Sequence, residues 1–252
     1  MPLLSFHTAA LHSNSYPDQF IDSLECWRHP QGWVLVCCHF QLQHYRPDLY
    51  ASMAIEMPAP LQASVIKRQA EFLAGRYAAF KAMQLLWPLR PLPQIGIAAQ
   101  RQPLWPAGAL GSITHAAHWA CCLISRAEQT GYLGIDLETW LTVEQARQLC
   151  GEIHNREEQE LLCSLGLTAA QATTLIFSAK ESLFKAVHPY ARQFFGFDAA
   201  TVKTAEPGTV WLELKAELAK AWQVAERYSV NYQLLPEHVF TILHRGSLAE
   251  LR

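Results

Sequence analysis

Two carboxylates stand one residue apart in GYLGIDLETW, residues 131–140. Tyr132, Leu133 and Ile135 read as a short apolar strand that ends in Asp136 and Glu138. Side chains two apart on a strand share a face, so both acids aim at one place. From these residues alone, a general acid–base pair and a solvated strand edge stay equally open. FSAKESLFKAVH, residues 177–188, adds a second set. On a helical wheel Leu175, Ile176, Ala179, Leu183, Ala186 and Val187 make one apolar stripe. Ser178, Glu181, Ser182, Lys185 and His188 lie opposite. Glu181 and Lys185 form an i,i+4 pair, as an ordinary solvated helix face would carry. Phe177 and Phe184 flank Glu181, however, which argues against plain solvent. Placed beside Asp136 and Glu138, Glu181 would complete a hard oxygen site. Mg²⁺ takes a few carboxylates and fills its shell with waters and phosphate oxygens. Three acids and a lysine suit Mg²⁺ and phosphate better than zinc, which draws on Cys or His.

A third set is basic. KRQAEFLAGRYAAFKA, residues 67–82, puts Lys67, Arg68, Arg76 and Lys81 on one helix among small residues. Arg101 follows in QRQPLWP, then Gly111-Ser112-Ile113-Thr114-His115. Gly111 permits close backbone approach, and the hydroxyls and imidazole supply donors. Such a set can hold phosphates by charge-assisted hydrogen bonds, although single helix cations are commonly just solvated. Ser112 with His115 lacks the G-x-S-x-G elbow of a hydrolase nucleophile. His115 and His118 lack the H-E-x-x-H pattern of a metal helix.

The elements that must position these groups are readable in outline. Residues 1–30 read as irregular, with a polar break at SNSYPDQ. Gly32–Phe40 and Trp119–Ser125 read as buried strands, and Leu61–Leu86 as one long helix without proline. Trp87–Gly111 is proline-rich and reads as extended loop. Ala127–Thr130 reads as a polar turn between halves. Helices are expected over Thr142–Cys150, Asn155–Ser164 and Thr168–Val187. Thr168 with Gln171 forms a capping box at the start of the last, and Pro189 is expected to end it. Strands are expected at Thr209–Leu214, Val230–Leu234 and Val239–Leu243. Each half then has one long helix and several strands, an α+β arrangement without strand–helix alternation. Ala79-Phe80-Lys81-Ala82 is echoed by Leu183-Phe184-Lys185-Ala186, a faint internal repeat.

Composition bounds the rest. The chain has 252 residues, enough for two halves with a core each. It is 50% hydrophobic and 17% charged, which marks a globular protein. A net charge of −2 gives no general case for nucleic acid or an anionic membrane. No apolar run approaches the roughly 20 residues of a membrane span, and no signal peptide is evident. The cysteines are Cys26, Cys37, Cys38, Cys121, Cys122, Cys150 and Cys163. With no C-x-x-C pair and several in apolar runs, they are expected to be buried thiols of a cytoplasmic protein, not disulfides or zinc ligands.

GSITH, GIDLE and FSAKESLFKA, in that order, resemble the signature blocks of the Sfp-type 4′-phosphopantetheinyl transferases. KRQAEFLAGRYAA and RQPLWP are similar to a subgroup that serves siderophore synthesis. HNREEQELL and FGFDAATV fit the segments before and after the third block. Residues 1–60 and 205–252 carry little of the resemblance. It implies a pseudo-twofold pair of similar α+β halves, each a long helix on a small, mainly antiparallel sheet. The expected halves are 1–127, contacting the nucleotide, and 128–252, holding the metal acids and docking the carrier, with coenzyme A and Mg²⁺ in the cleft between them. By resemblance, Asp136, Glu138 and Glu181 fall on the metal-binding acids, and Lys185 on the lysine that contacts phosphate. Ser112 and His115 fall on the pair that contacts coenzyme A, with Thr114 where Ser is more usual. Arg68, Arg76 and Arg101 look like the basic residues around the nucleotide. Leu137 stands where Ile or Val is commoner.

The implied reaction moves 4′-phosphopantetheine from coenzyme A to a serine of an apo carrier protein and releases adenosine 3′,5′-bisphosphate. Glu181, or a metal-bound water that it orients, is the expected general base, with Lys185 beside the reacting phosphate. Acyl, peptidyl or aryl carrier domains of nonribosomal peptide, siderophore, polyketide or polyunsaturated fatty-acid synthases are the expected partners. They would dock around residues 139–165, and the enzyme is expected to be a monomer. Two rivals are a coenzyme A-binding regulator without catalysis and a Mg²⁺-dependent phosphohydrolase.

Overall fold

VLVCCHF and WACCLIS pair with each other at the centre of a sheet. They form β3 (Val34–Phe40) and β7 (Trp119–Arg126), which run antiparallel with Cys37 opposite Cys121. Both are continuous apolar runs because both of their faces are buried. The computed structural model describes residues 7–8, 19–88, 91–98, 100–128 and 131–245. Residues 1–6 and 9–18 of the expected irregular stretch 1–30, and the end of the expected 127–130 turn, lie outside these residues.

Contacts divide the chain into two compact units, Met1–Thr130 and Gly131–Arg252. The first carries β1 (His7–Thr8), β2 (Ile21–Arg28), β3, a β4–β5 ribbon (Gly96–Ile97, Pro103–Leu104), β6 (Ala109–Ala116) and β7. Its main sheet has five antiparallel strands in the order β1-β2-β3-β7-β6. After the single-turn helices α1 (Leu49–Ser52) and α2 (Ala59–Gln62), α3 (Ile66–Leu86) packs along β7, β3 and β6. Val34, Val36, Cys38, Ala120, Cys122 and Ile124 meet Ala70, Leu73, Ala74 and Ala78 in one core.

Several expectations change in this unit. Ile21–Arg28 is a strand, not part of an irregular start: its polar side chains fill the more exposed positions of a strand that borders the short β1. The expected helix from Leu61 is broken at residues 63–65. There the Gln69 amide donates to the carbonyls of Leu61, Gln62 and Ser64, satisfying the broken end. Part of the expected loop 87–111 is the β4–β5 ribbon and the start of β6. Cys37 and Cys121 are joined as a disulfide across β3 and β7, which corrects the expectation of thiols throughout. Directly opposed strand positions bring the two Cβ atoms within bonding reach.

The second unit carries β8 (Tyr132–Thr139), α4 (Val143–Ile153), α5 (Arg156–Cys163), α6 (Ala169–Ala191), β9 (Ala200–Glu206), β10 (Thr209–Leu214), α7 (Ala216–Trp222), β11 (Arg227–Leu234) and β12 (His238–Arg245). Its five strands are antiparallel in the order β8-β12-β11-β10-β9. Capping boxes at Thr142, Asn155 and Thr168 start α4, α5 and α6, each satisfying two helix-end donors. α6 lies on β8 and β12 and passes through Pro189 to Ala191, beyond the expected stop. Proline removes only its own N–H bond so close to the end. Arg192, in the left-handed conformation, closes the helix by donating to the His188 carbonyl. The Tyr190 hydroxyl donates to the Gly131 carbonyl and its ring packs on Tyr132, anchoring the last turn.

Candidate active site

β8 separates its two faces by residue parity. Leu133, Ile135 and Leu137 are buried on one side. Gly134, Asp136 and Glu138 point to the other, where α6 runs. A Cβ on Gly134 would sit 2.0 Å from the Ser182 carbonyl oxygen, so only glycine lets the helix come this close. That approach brings Lys185 onto β8: its Nζ lies 2.6 Å from Asp136 Oδ1 and 3.1 Å from the Ile135 carbonyl. Lys185 thus makes its ion pair across elements, not within the helix.

Asp136 is 2% exposed, while Glu138 and Glu181 are half-buried. Burial, then the Asp136 charge, pushes the Glu138 carboxyl up to about 8, against a smaller opposing pull from Lys185. Burial also raises Glu181; Lys185 opposes this and Asp136 adds to it. The site therefore crowds three acids around one ammonium in a poorly solvated place. The expected polar face of α6 is not solvated either. Ser178, Ser182 and His188 are buried against the rest of the unit. On its other flank Glu181 borders an apolar pocket of about 100 Å³, lined by Phe184, Phe194, Phe195 and Phe197.

Whether these groups fit a divalent cation can be judged from donor chemistry and geometry. Carboxylate oxygens are the ligands that Mg²⁺ takes, and burial, with the Asp136 charge adding to it, raises two of the carboxyls. Among the described residues, no three His, Cys, Asp or Glu side chains converge closely enough to hold a metal ion as they stand. Lys185 Nζ sits where a cation would meet Asp136 Oδ1. The residues fit in charge and ligand type, with Lys185 occupying Asp136 Oδ1 in this structure.

The basic set is only partly gathered. Arg68 Nη1 contacts His115 Nε2 at 3.1 Å, and His115 Nδ1 lies 3.9 Å from Glu71 Oε2. Lys67 completes this cluster, 3.8 Å from Glu71 Oε1. Ser112 and Thr114 are buried on the opposite face of β6 from His115, as an odd spacing on a strand requires. Arg76 is 7% exposed, and its guanidinium donates to the Ile95 and Gly96 carbonyls and stacks on Phe72. Arg101 is exposed, with a left-handed backbone at φ 67°.

Two participants escaped the sequence reading. Glu71 joins the Arg68–His115 cluster; its place three after Arg68 and four after Lys67 was the available signal. Lys180, next to Glu181, is buried with Glu158 and donates to it at 2.9 Å and to the Ile153 and Phe197 carbonyls. Glu158 also accepts from the backbone N–H groups of Asn155 and Val202. The pair ties α6 to α4, α5 and β9 with every polar group satisfied, which a buried pair needs.

Residues 57–125 match the family described as 4′-phosphopantetheinyl transferase N-terminal domain, and residues 132–242 match the 4′-phosphopantetheinyl transferase superfamily. The enterobactin synthase component D of Salmonella typhi is 37% identical over 167 residues, 66% of this chain and 67% of the relative. The protein of the same name from Escherichia coli K12 is 43% identical over 128 residues, 51% of this chain and 59% of the relative. The 4′-phosphopantetheinyl transferase PptT of Mycobacterium tuberculosis is 29% identical over 167 residues, 61% of this chain and 66% of the relative.

Proposed function

The chain belongs to the 4′-phosphopantetheinyl transferase superfamily and is a transferase of that kind, and from this premise we propose how its residues act. The donor is coenzyme A, and the acceptor is a serine hydroxyl of an apo carrier protein. The serine oxygen attacks the phosphorus that bears the pantetheine. The bond from that phosphorus to the bridging oxygen breaks, and adenosine 3′,5′-bisphosphate leaves with the electron pair. Asp136, Glu138 and Glu181 would hold Mg²⁺, which when bound offsets negative charge on the diphosphate.

Glu181 is the candidate base for the serine proton. Burial raises its proton affinity above that of a free carboxylate, which makes it a stronger base. Lys185, released from Asp136, stabilises charge on the leaving phosphate oxygen. Arg68 and His115, with Ser112, Arg76 and Arg101, are assigned to the nucleotide and its phosphates. Arg76 would serve mainly through the backbone that it holds at Ile95 and Gly96. Residues 1–127 are assigned to the nucleotide and residues 128–252 to the metal and the carrier. The carrier docks around residues 139–165, where Val143 and Leu149 of α4 expose apolar surface. The enzyme acts as a cytoplasmic monomer, on carriers of siderophore and other nonribosomal peptide synthases or of polyketide and polyunsaturated fatty-acid synthases.

The observation that carries the reading is the packing of α6 onto β8, which places Lys185 and Glu181 against Asp136 and Glu138. A panel of apo carriers incubated with fluorescently labelled coenzyme A and Mg²⁺ tests it. The reading predicts label on carrier serines, fastest for a siderophore-type carrier. Phosphate release from simple esters, with no carrier labelled, would replace it with a phosphohydrolase.

A further inference from the structure

We infer that Thr241, which lies outside every acid, lysine and signature block of the site, is the positioning residue that sets the register of α6 over the acids of β8. Thr241 is the direct antiparallel partner of Asp136, so their side chains stand together on the helix-facing side of the sheet. Its hydroxyl donates to the Ser178 carbonyl at 3.0 Å. Having spent its single proton there, it accepts from both serine hydroxyls, Ser178 Oγ at 2.9 Å and Ser182 Oγ at 2.7 Å. Ser182 Oγ also lies 3.3 Å from the Thr241 carbonyl oxygen. All three side chains are fully buried.

One donor and two acceptors are thus all used, and the partners come from two successive helical turns that bracket Glu181. A rotation or slip of α6 would leave buried hydroxyls without partners, which is costly. The seam therefore permits one register, with Glu181 between Ser178 and Ser182 and Lys185 one turn beyond, at Asp136. Gly134 completes the arrangement, since the same Ser182 carbonyl rests where its side chain would be. The sequence pattern places Ser178 and Ser182 on a polar face. The seam explains why that face is polar and yet buried: its hydroxyls grip the sheet so that its charges can work at the rim.

The inference rests on the proposed function and is tested so that the two can fail separately. Thr241→Val keeps the shape and removes the hydroxyl; Thr241→Ser keeps the hydroxyl. Binding of Mn²⁺, an oxygen-preferring stand-in for Mg²⁺, is measured by electron paramagnetic resonance without coenzyme A or carrier. Thr241→Val should weaken it by about 10-fold or more, the usual effect of losing an outer-shell partner. In the transfer assay it should lower kcat by about 10-fold or more and leave the coenzyme A KM within about twofold. Thr241→Ser should restore both readouts. If Thr241→Val fails to fold, Ser182→Ala removes one of the two donors and should show the same split at smaller size. A Thr241→Val protein that melts earlier but binds Mn²⁺ and turns over like the wild type would overturn the inference. A wild type that binds Mn²⁺ and labels no carrier would instead overturn the proposed function.

Discussion

The two long helices, α3 and α6, lie on similar five-stranded antiparallel sheets, and of the two it is α6 that sets a lysine against an acid of its sheet. α3 meets its sheet through alanine, leucine and cysteine, and burial pushes the Cys38 thiol up to about 12, leaving it unreactive. α6 meets β8 and β12 through serines, a threonine and a lysine. The internal echo sharpens the contrast. Lys81 and Lys185 occupy the same place in their four-residue repeats. Lys81 rests over the Tyr77 ring at 5.2 Å, whereas Lys185 grips Asp136. The helix-on-sheet frame is thus neutral to function. Acids on the helix-facing positions of one strand, and a glycine that lets the helix come close, give the second unit its half-buried cluster of charges.

The largest test of this contrast removes the charges. Asp136→Asn or Glu181→Gln should lower transfer by about 100-fold or more, as losing a charge-stabilising group does. Lys81→Ala should leave transfer within about threefold of wild type, since Lys81 is half-buried against the Tyr77 ring of its own helix and not against the acids of β8. Comparable losses from Lys81→Ala and Lys185→Ala would break the comparison. A second test concerns the anion side. Arg68→Ala should raise the KM for coenzyme A by about 10-fold with kcat retained, the pattern of lost ground-state binding by a charged donor.

A third pair compares the two close approaches. Gly134→Ala would drive a Cβ into the Ser182 backbone and should cost about 3 kcal/mol or more, lowering Tm by roughly 6 °C or more. In α3, a Cβ on Gly75 would meet only the Ile113 side-chain methyl at 3.0 Å. Gly75→Ala should therefore stay within about 1 kcal/mol of wild type, helped by helix propensity. Thermal melts of the two variants measure the difference.

The smallest effect is a slope. Glu138 is raised in the fold from 4.5 to about 8, so the folded protein holds a proton that the unfolded chain has lost. Stability should fall as pH rises between these values and level off above them. Glu138→Gln should flatten that limb, and Mg²⁺ should oppose the loss. Asp22, in the first unit, behaves oppositely. Burial raises it, but hydrogen bonds from Gln41 and His39 outweigh this and lower it overall. Its contribution is present above its ordinary value and is lost as pH falls through the lower folded one. Asp22→Asn should therefore change only the acid limb of a Tm–pH profile.

Local signals carried much of this into the sequence. The apolar run before Asp136, the capping boxes at Thr142, Asn155 and Thr168, and the stripe on α6 all report their own neighbourhood. The family blocks then tied the acids to Glu181. What stayed hidden depends on partners distant in the chain. Ile21–Arg28 carries charged and polar residues and becomes a strand by pairing with β3. Cys37 and Cys121 meet only because their strands align. Pro189 stays helical because Tyr190 and Arg192 hold the turn after it. Ser178 and Ser182 look solvent-facing until Thr241, about 60 residues on, arrives opposite them.

The most direct test of the central claim is the intact mass of an apo carrier protein after incubation with the enzyme, coenzyme A and Mg²⁺, run beside Asp136→Asn and a chelator control. The account predicts that the wild type adds one phosphopantetheine to the carrier serine and forms one adenosine 3′,5′-bisphosphate per transfer, and that in the time the wild type takes to finish both controls leave nearly all of the carrier unmodified. Full modification by Asp136→Asn, or in the presence of chelator, would contradict it.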